Sequence, residues 1–196
     1  MNNLLRGILL SAILAVFPAS AGAEANGPVP ALDGQTVRVS SFSGKPVPRF
    51  ESLKYPSVHG RKGPGFDYQI AWKYERQGLP VVVLKESRDW RMVRDPSGDE
   101  VWMHKRTLNG RQGVLVYGTD FVPLKAHPKA DSRVVARIEP GVVANLIDCD
   151  GAFCEVYVDR RKGWAPRAHL WGAPGTSSEP LKPELLKLSG DKLVSQ

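Results

Sequence analysis

This sequence of 196 residues lacks the motifs that mark common catalytic and metal sites. It has no Gly-x-Ser-x-Gly elbow, no phosphate-binding loop and no dinucleotide-binding fingerprint. Its four histidines form no His-x-x-x-His pair, so they do not indicate a metal site. These scattered residues are His59, His104, His127 and His169. We therefore expect a protein that is not an enzyme and that binds no metal or cofactor.

Cysteine is also scarce, with only Cys149 and Cys154 present and neither near the amino terminus, so a bacterial lipid anchor is not expected. If Gly151 and Ala152 form the turn between them, or if all four intervening residues do, the cysteines face each other across a hairpin at a distance that a disulfide can span. If the turn lies at Asp150 and Gly151, a bridge is strained. Export favours the bridge. A redox or nucleophilic pair is disfavoured because the spacing is not Cys-x-x-Cys and no histidine is near.

Apolar stretches long enough to span a membrane are missing. Residues 7–17 are apolar but too few for a stable span. They follow a short positive segment that ends at Arg6, and small residues come after them, which is typical of a secretory signal peptide. We expect cleavage after Ala21 or Ala23, with an uncleaved anchor as the alternative. The mature protein is then periplasmic or secreted, without a membrane span.

Dense runs of one charge are absent as well. The formal net charge is +7, and removal of the signal peptide with Arg6 lowers it to +6. Basic residues are spread along the chain, and the single triple is Arg160-Arg161-Lys162. A solvated basic surface therefore explains the charge better than a surface that binds polyanions, and no nucleic-acid partner is expected.

What the sequence does contain is an internal repeat. Residues 81–108 and 142–170 align when Trp102 is placed on Trp164, which also brings Trp90 opposite Phe153. Each copy has a β-branched run, a polar turn, a strand that begins with an aromatic residue, a second turn and a strand that contains tryptophan. This spacing is typical of an antiparallel meander. The repeat predicts an all-β protein with two copies of one small unit.

The order of motifs resembles the bacterial SH3-like (SH3b) domain family, in particular a subgroup of secreted two-repeat proteins. The motifs are a basic residue before Gly63-Pro64-Gly65, then Tyr68-x-Ile70, then a β-branched strand, Trp90-Arg91-Met92-Val93-Arg94 and residues 101–108. The second copy is diverged and lacks Gly-Pro-Gly. The resemblance implies two tandem small barrels after the signal peptide. The predicted segments are a signal peptide 1–23, a linker 24–46, domain one 47–110, a linker 111–119, domain two 120–172 and a flexible tail 173–196.

The resemblance also implies a ligand site. SH3-like domains hold extended peptides in an aromatic-lined groove beside the long loop. The residues that match this description are Tyr68, Trp72 and Trp90, with Arg61 and Arg91 as partners for a ligand carboxylate. The alternative is that these aromatic residues only fill a small core. We expect Trp102 and Trp164 to pack in the two cores, because they share one position in both copies.

Together these features predict an exported, non-catalytic binding or adaptor protein of the cell envelope. The expected partner is peptidoglycan, through its peptides, or an extended segment of an envelope protein. The alternative is a structural module that associates with itself or with another protein and binds no small ligand.

Overall fold

The computed structural model describes residues 37–110, 112–185 and 194–195. The predicted signal peptide and its cleavage sites lie outside these residues. Within them the chain is all-β, as predicted, and only three single-turn 3₁₀-helices interrupt the strands. No helix in this part of the chain has the length and apolarity needed to cross a membrane.

A two-stranded hairpin of β1 (Arg38–Val39) and β2 (Pro46–Val47) precedes the first large sheet. The strands of that sheet are β3 (Arg49–Leu53), β4 (Val58–Arg61), β5 (Ile70–Tyr74), β6 (Pro80–Ser87), β7 (Trp90–Arg94), β8 (Glu100–His104) and, after a 3₁₀ turn at Lys105–Thr107, β9 (Leu108–Asn109). These strands form the first unit.

The second unit repeats this order. Its strands are β10 (Gly113–Val116), β11 (Val122–Lys125), β12 (Val134–Ile138), β13 (Val143–Asp150), β14 (Phe153–Val158), β15 (Arg161–Pro166) and, after a 3₁₀ turn at Arg167–His169, β16 (Leu170–Trp171). A third 3₁₀ turn, Pro183–Leu185, and a short strand β17 (Val194–Ser195) follow, and β17 joins the first sheet beside β5.

The predicted repeat is confirmed by the pairing of the strands. Apart from β17, the first sheet has the order β5-β4-β8-β7-β6-β3-β9. The second has the order β12-β11-β15-β14-β13-β10-β16, so each strand has the same neighbours as its equivalent in the first sheet. The register shifts also coincide. One lies between Val83 and Lys85 in β6 and between Leu146 and Asp148 in β13. The duplication therefore extends to the bulges that bend each sheet.

The β-branched residues of β6 do not alternate with polar residues, because both faces of this strand are buried. Val81 and Val83 pack in the core of the first unit. Val82 points the other way, into a junction cluster with Leu115 and Trp171 of the second unit. The molecule thus has a core in each unit and a third apolar cluster between them.

The disulfide prediction is confirmed, since a bond joins Cys149 and Cys154 with a Cα–Cα distance of 4.0 Å. The two cysteines are opposite one another in the β13–β14 pair, and Asp150 is opposite Phe153. Gly151 and Ala152 therefore form the turn, and Gly151 has the positive φ of 52° that suits glycine.

Three predicted segments differ from the structure. The segment 111–119, predicted as a linker, contains β10, whose four residues are all buried. The segment 24–46 includes strand residues of the small β1–β2 hairpin. The predicted flexible tail contains Ala173 and Leu181, which are both buried, because residues 174–185 run back across the junction. We call residues 174–185 the strap.

Candidate ligand-binding site

The outer face of the β7–β8 hairpin carries aromatic and apolar side chains. In this pair Trp90 is opposite His104 and Met92 is opposite Trp102. Side chains alternate along a strand, so Val93, Val101 and Met103 point into the core instead. The hairpin thus presents a row of large side chains on the side away from the core.

The loop of residues 62–69, which joins β4 to β5, folds over this row. The Phe66 ring lies 5.0 Å from the ring of Trp90, edge to face, and 5.6 Å from the ring of His104, stacked. Trp90 and His104 meet edge to face at 5.4 Å. Trp90 is only 8% exposed, whereas Phe66 is 69% exposed. We call Phe66, Trp90 and His104 the aromatic cluster, and Phe66 is its accessible ring.

Burial lowers the pKa of the His104 imidazole, and the nearby Asp89 carboxylate only partly opposes this effect. The His104 Nδ1 atom accepts a hydrogen bond of 3.3 Å from the backbone N–H of Arg106. At neutral pH the ring is therefore uncharged and can stack on Phe66 as an apolar surface.

Arg61 fixes the position of this loop. Its Nη1 donates to the carbonyl oxygens of Phe66 at 2.9 Å and Tyr68 at 2.7 Å, and the guanidinium lies 5.7 Å from the Phe66 ring centre. The second unit has an equivalent contact, in which Lys125 donates to the carbonyl of Ala130 in the matching loop. Arg61 is opposite Trp102 and Lys125 is opposite Trp164, so the two basic residues are structurally equivalent. Arg61 thus holds the loop, whereas a ligand contact stays a prediction.

Tyr68 lies on the glycines of the Gly-Pro-Gly motif and is 50% exposed. A Cβ atom at Gly63 would come within 2.3 Å of the Tyr68 ring, so only glycine permits this contact. Trp72 is half-buried and packs against the core of the first unit. The structure therefore favours the core alternative for Trp72, and it does not bring Trp72 into the aromatic cluster.

The structure does not favour the predicted ligand role of Arg91, because the side chain is buried and already paired. Its Nε lies 3.0 Å from Oε1 of Glu86, whose side chain is inaccessible. Its Nη1 donates to the carbonyls of Arg88 and Trp90. Arg49 contacts the same Glu86 oxygen at 2.6 Å. Arg49 and Arg91 together neutralise the buried Glu86 carboxylate, and a ligand contact of Arg91 stays a prediction.

Trp102 and Trp164 also differ from the prediction. Both are half-buried on the outer faces of their sheets, and the residues beside them point into the cores. Phe66 and His104 were not predicted as members of the candidate site. For His104, the available signal was the two-residue spacing of Trp90 and Met92 on one strand and of Trp102 and His104 on the next, which puts the four on one face without showing which face is the core.

The corresponding face of the second unit has different chemistry. Phe153 is opposite Pro166, and Glu155 is opposite Trp164. Glu155 forms an ion pair of 3.1 Å with Lys162. Among the described residues, the ring cluster that includes Trp90 has no counterpart there. The described residues also contain no group of three or more His, Cys, Asp or Glu side chains that could hold a metal ion.

Residues 54–110 and 118–172 each match the family model described as the bacterial SH3 domain. The chain belongs to this family. The two units are therefore bacterial SH3 domains, and the first carries the aromatic cluster.

Comparison with curated proteins finds "Putative N-acetylmuramoyl-L-alanine amidase YrvJ" of Bacillus subtilis (strain 168), which is 23% identical over 128 residues. The match covers 60% of this chain and 24% of that protein, so the chain spans about a quarter of the relative. Among solved structures, NlpC2 and NlpC1 of Trichomonas vaginalis are each 12% identical, with TM-scores of 0.29 and 0.28. They cover 63% and 67% of this chain, and the match covers 48% of each of them.

Proposed function

We propose that this chain is an exported, non-catalytic binding protein of the bacterial cell envelope, and that its first SH3 domain binds the peptides of peptidoglycan. Family membership supports a binding role. The relative in Bacillus subtilis is named for the bond between N-acetylmuramic acid and L-alanine, where peptide joins sugar in the cell wall. The lack of catalytic motifs in the sequence supports a non-catalytic role.

The observation that carries the proposal is the aromatic cluster with its exposed Phe66. An aromatic ring on a rigid support binds extended peptides by contact with their side chains and peptide planes, while nearby charges fix their ends. Lys85 is exposed and lies opposite Met92, next to the cluster. Lys85 is therefore the cation that pairs with a carboxylate of the stem peptide, in place of the buried Arg91. Arg61 keeps Phe66 in place, which lowers the entropy cost of binding.

The test compares Phe66→Ala with Phe121→Ala. Both rings are largely exposed, Phe66 at 69% and Phe121 at 58%, so both variants keep their cores intact. Binding is measured by co-sedimentation with purified sacculi and by NMR titration with soluble peptidoglycan fragments. We expect Phe66→Ala to weaken binding about tenfold, equivalent to about 1.4 kcal/mol, and Phe121→Ala to leave it unchanged. Equal affinity of the two variants for peptidoglycan would show that the aromatic cluster is not the binding site.

Self-association is the second candidate function, and one edge strand favours it. β12 is one of the two outer strands of the second sheet, and among the described residues no strand pairs with its free side. Val134 on this strand is 41% exposed. Unpaired edges of this kind can pair with another chain. Analytical ultracentrifugation over a wide concentration range tests the idea, and a monomer at every concentration would count against it.

A further inference from the structure

The junction between the two SH3 domains forms an apolar groove. Val82, Leu115 and Trp171 form its buried floor. Half-buried Phe50 and Tyr117 pack beside them, and the Phe50 and Trp171 rings meet edge to face at 5.0 Å. Phe50 and Val82 come from the first domain and the other three residues from the second. The groove therefore exists only when both domains are in place.

The strap lies in this groove in the way a peptide ligand lies on its receptor. Leu181 is its buried side chain and contacts the apolar floor. The Leu181 N–H donates to the carbonyl of Pro96 at 2.9 Å, and the Trp171 indole N–H donates to the carbonyl of Glu179 at 2.9 Å. Pro180 lies against Gly98, where an added Cβ would be 3.3 Å from the proline ring. The Leu181 side chain and the hydrogen bonds at Glu179 and Leu181 thus tie the segment to both domains.

The strap has the composition of a displaceable peptide. Pro180 and Pro183 restrict its backbone before binding, which reduces the entropy lost on docking. Lys182, Pro183 and Glu184 are exposed. The connection to β16 includes Gly172 and Gly175, both with positive φ, so the chain can turn there.

The strap does not fill the junction completely. A hollow of about 360 Å³ remains beside the strap, with Tyr117 and Trp171 on one side and Lys182 and Leu185 on the other. This volume is at the lower end of the range for small-ligand sites. Because the other residues that line this hollow belong to the strap, the strap packs incompletely against the rings of Tyr117 and Trp171.

We propose that the junction groove is a docking site for an extended peptide of a partner protein that contains a Pro-Leu pair, and that the strap is its built-in occupant. The partner segment takes the places of Pro180 and Leu181 and accepts the hydrogen bond from the Trp171 indole. The site is separate from the aromatic cluster and does not depend on the function proposed for that cluster.

The experiment uses the mature full-length chain and a synthetic peptide of residues 176–185. Leu181→Ser releases the strap by removing its anchor, and Lys182→Ser is the matched control because Lys182 is exposed. The Trp171 indole N–H signal reports occupancy of the groove by NMR. We expect it to shift in Leu181→Ser and to return toward its original position when the peptide is added. The peptide should bind this variant at least about tenfold more tightly than the wild type or the control, because the tethered strap competes in those proteins.

A peptide with serine in the place of Leu181 should bind none of these proteins. If Leu181→Ser keeps its other indole signals but millimolar peptide does not move the Trp171 signal, the proposal is wrong. Hydrogen exchange in the wild-type chain tests the proposal without a variant. We expect the Leu181 amide to exchange at least about tenfold faster than the amide of Val156, because the strap opens locally. Equal rates would make the strap a fixed part of the fold. A dimer that disappears in Leu181→Ser would instead assign the groove to the strap of a second copy.

Discussion

Tyr74 and Asp95 form a buried polar pair in the first SH3 domain. The Tyr74 hydroxyl donates to Oδ2 of Asp95 at 3.1 Å, while Oδ1 accepts from the backbone N–H groups of Ser97 at 2.8 Å and Asp99 at 3.1 Å. Burial raises the pKa of Asp95 despite these hydrogen bonds. The native state then holds the proton more tightly than the unfolded chain does. The stabilising contribution is complete below about pH 4 and is lost as the pH rises through the higher native pKa.

We therefore expect Asp95→Asn to gain stability relative to the wild type as the pH rises from about 4 to 7. The amide keeps an acceptor oxygen for the two backbone N–H groups, and its NH₂ group can donate to the Tyr74 oxygen. Urea denaturation at a series of pH values measures the difference, with Asp131→Asn, at an exposed loop position, as the control. Parallel stability curves for Asp95→Asn and the wild type would contradict the assigned role of burial.

For His104 we expect the opposite dependence of stability on pH. Its native pKa is lowered, so below about pH 6.5 the unfolded state takes up the proton more readily than the native state does. The contribution of His104 to stability should therefore fall as the pH falls through that value. His104→Gln should remove this dependence, and His127→Gln, in an exposed loop, should retain it. Thermal denaturation between about pH 5 and 8 distinguishes the variants, and identical profiles would show that His104 does not titrate in this window.

Individual residues of the site were harder to predict than the strands that carry them. Val101, Trp102 and Met103 are all apolar, so the sequence alone does not tell which face of β8 enters the core. The polarity of Arg91 predicts a position on the surface. The side chain is buried instead, because the register of β6 and β7 brings Glu86 opposite it. That register depends on the bulge between Val83 and Lys85, which has no distinct signature in the sequence.

The disulfide hairpin of β13 and β14 is an element whose contribution can be measured by itself. In the chain-entropy view, closing so short a loop stabilises the protein by about 2 kcal/mol. We expect reduction of Cys149 and Cys154 to lower the free energy of unfolding by about this amount. Urea denaturation with and without reductant gives the value. The Trp90 indole signal, in the other domain, should not change, and a shift there would show that the effect is not local.

Elements defined by local patterns were predicted well. The two meanders and their repeat follow from nearby residues. The turn between the cysteines was left open among three placements, and the structure selects the one at Gly151 and Ala152. β10 was missed because it has only four residues and follows Gly110, whose neighbours resemble a linker. Its partners, β13 and β16, are far along the chain. Pairing over such distances leaves no periodic signal in a strand that is buried on both faces.

For the whole molecule, the approach of the two domains depends on Gly113. A Cβ atom there would lie 1.8 Å from the carbonyl oxygen of Gly78, which belongs to the backbone of the first domain. The Gly113 N–H also donates to Oγ of Ser52 at 2.7 Å. Any side chain at this position must therefore push the domains apart.

We expect Gly113→Ala to lower the free energy of unfolding by about 1–3 kcal/mol and to move the Trp171 indole signal, because the junction loses its packing. Gly110→Ala is the matched control, since an added Cβ there meets no atom within 4 Å. It should change stability by less than about 0.5 kcal/mol. Urea denaturation and NMR test both variants. A Gly113→Ala protein as stable as the control would show that the domains tolerate separation.

The position of Leu181 also has a consequence for the time course of folding. All seven strands that the first domain shares with its copy end by Asn109, so that domain can form its core as soon as this stretch has emerged. The junction cluster is different, because Leu181 comes eleven residues after Leu170, the first residue of the last strand that the two domains share. Val82 and Trp171 therefore lack the cover of Leu181 until that residue is in place. The late arrival of one leucine thus leaves an interval in which a chaperone can still bind this surface.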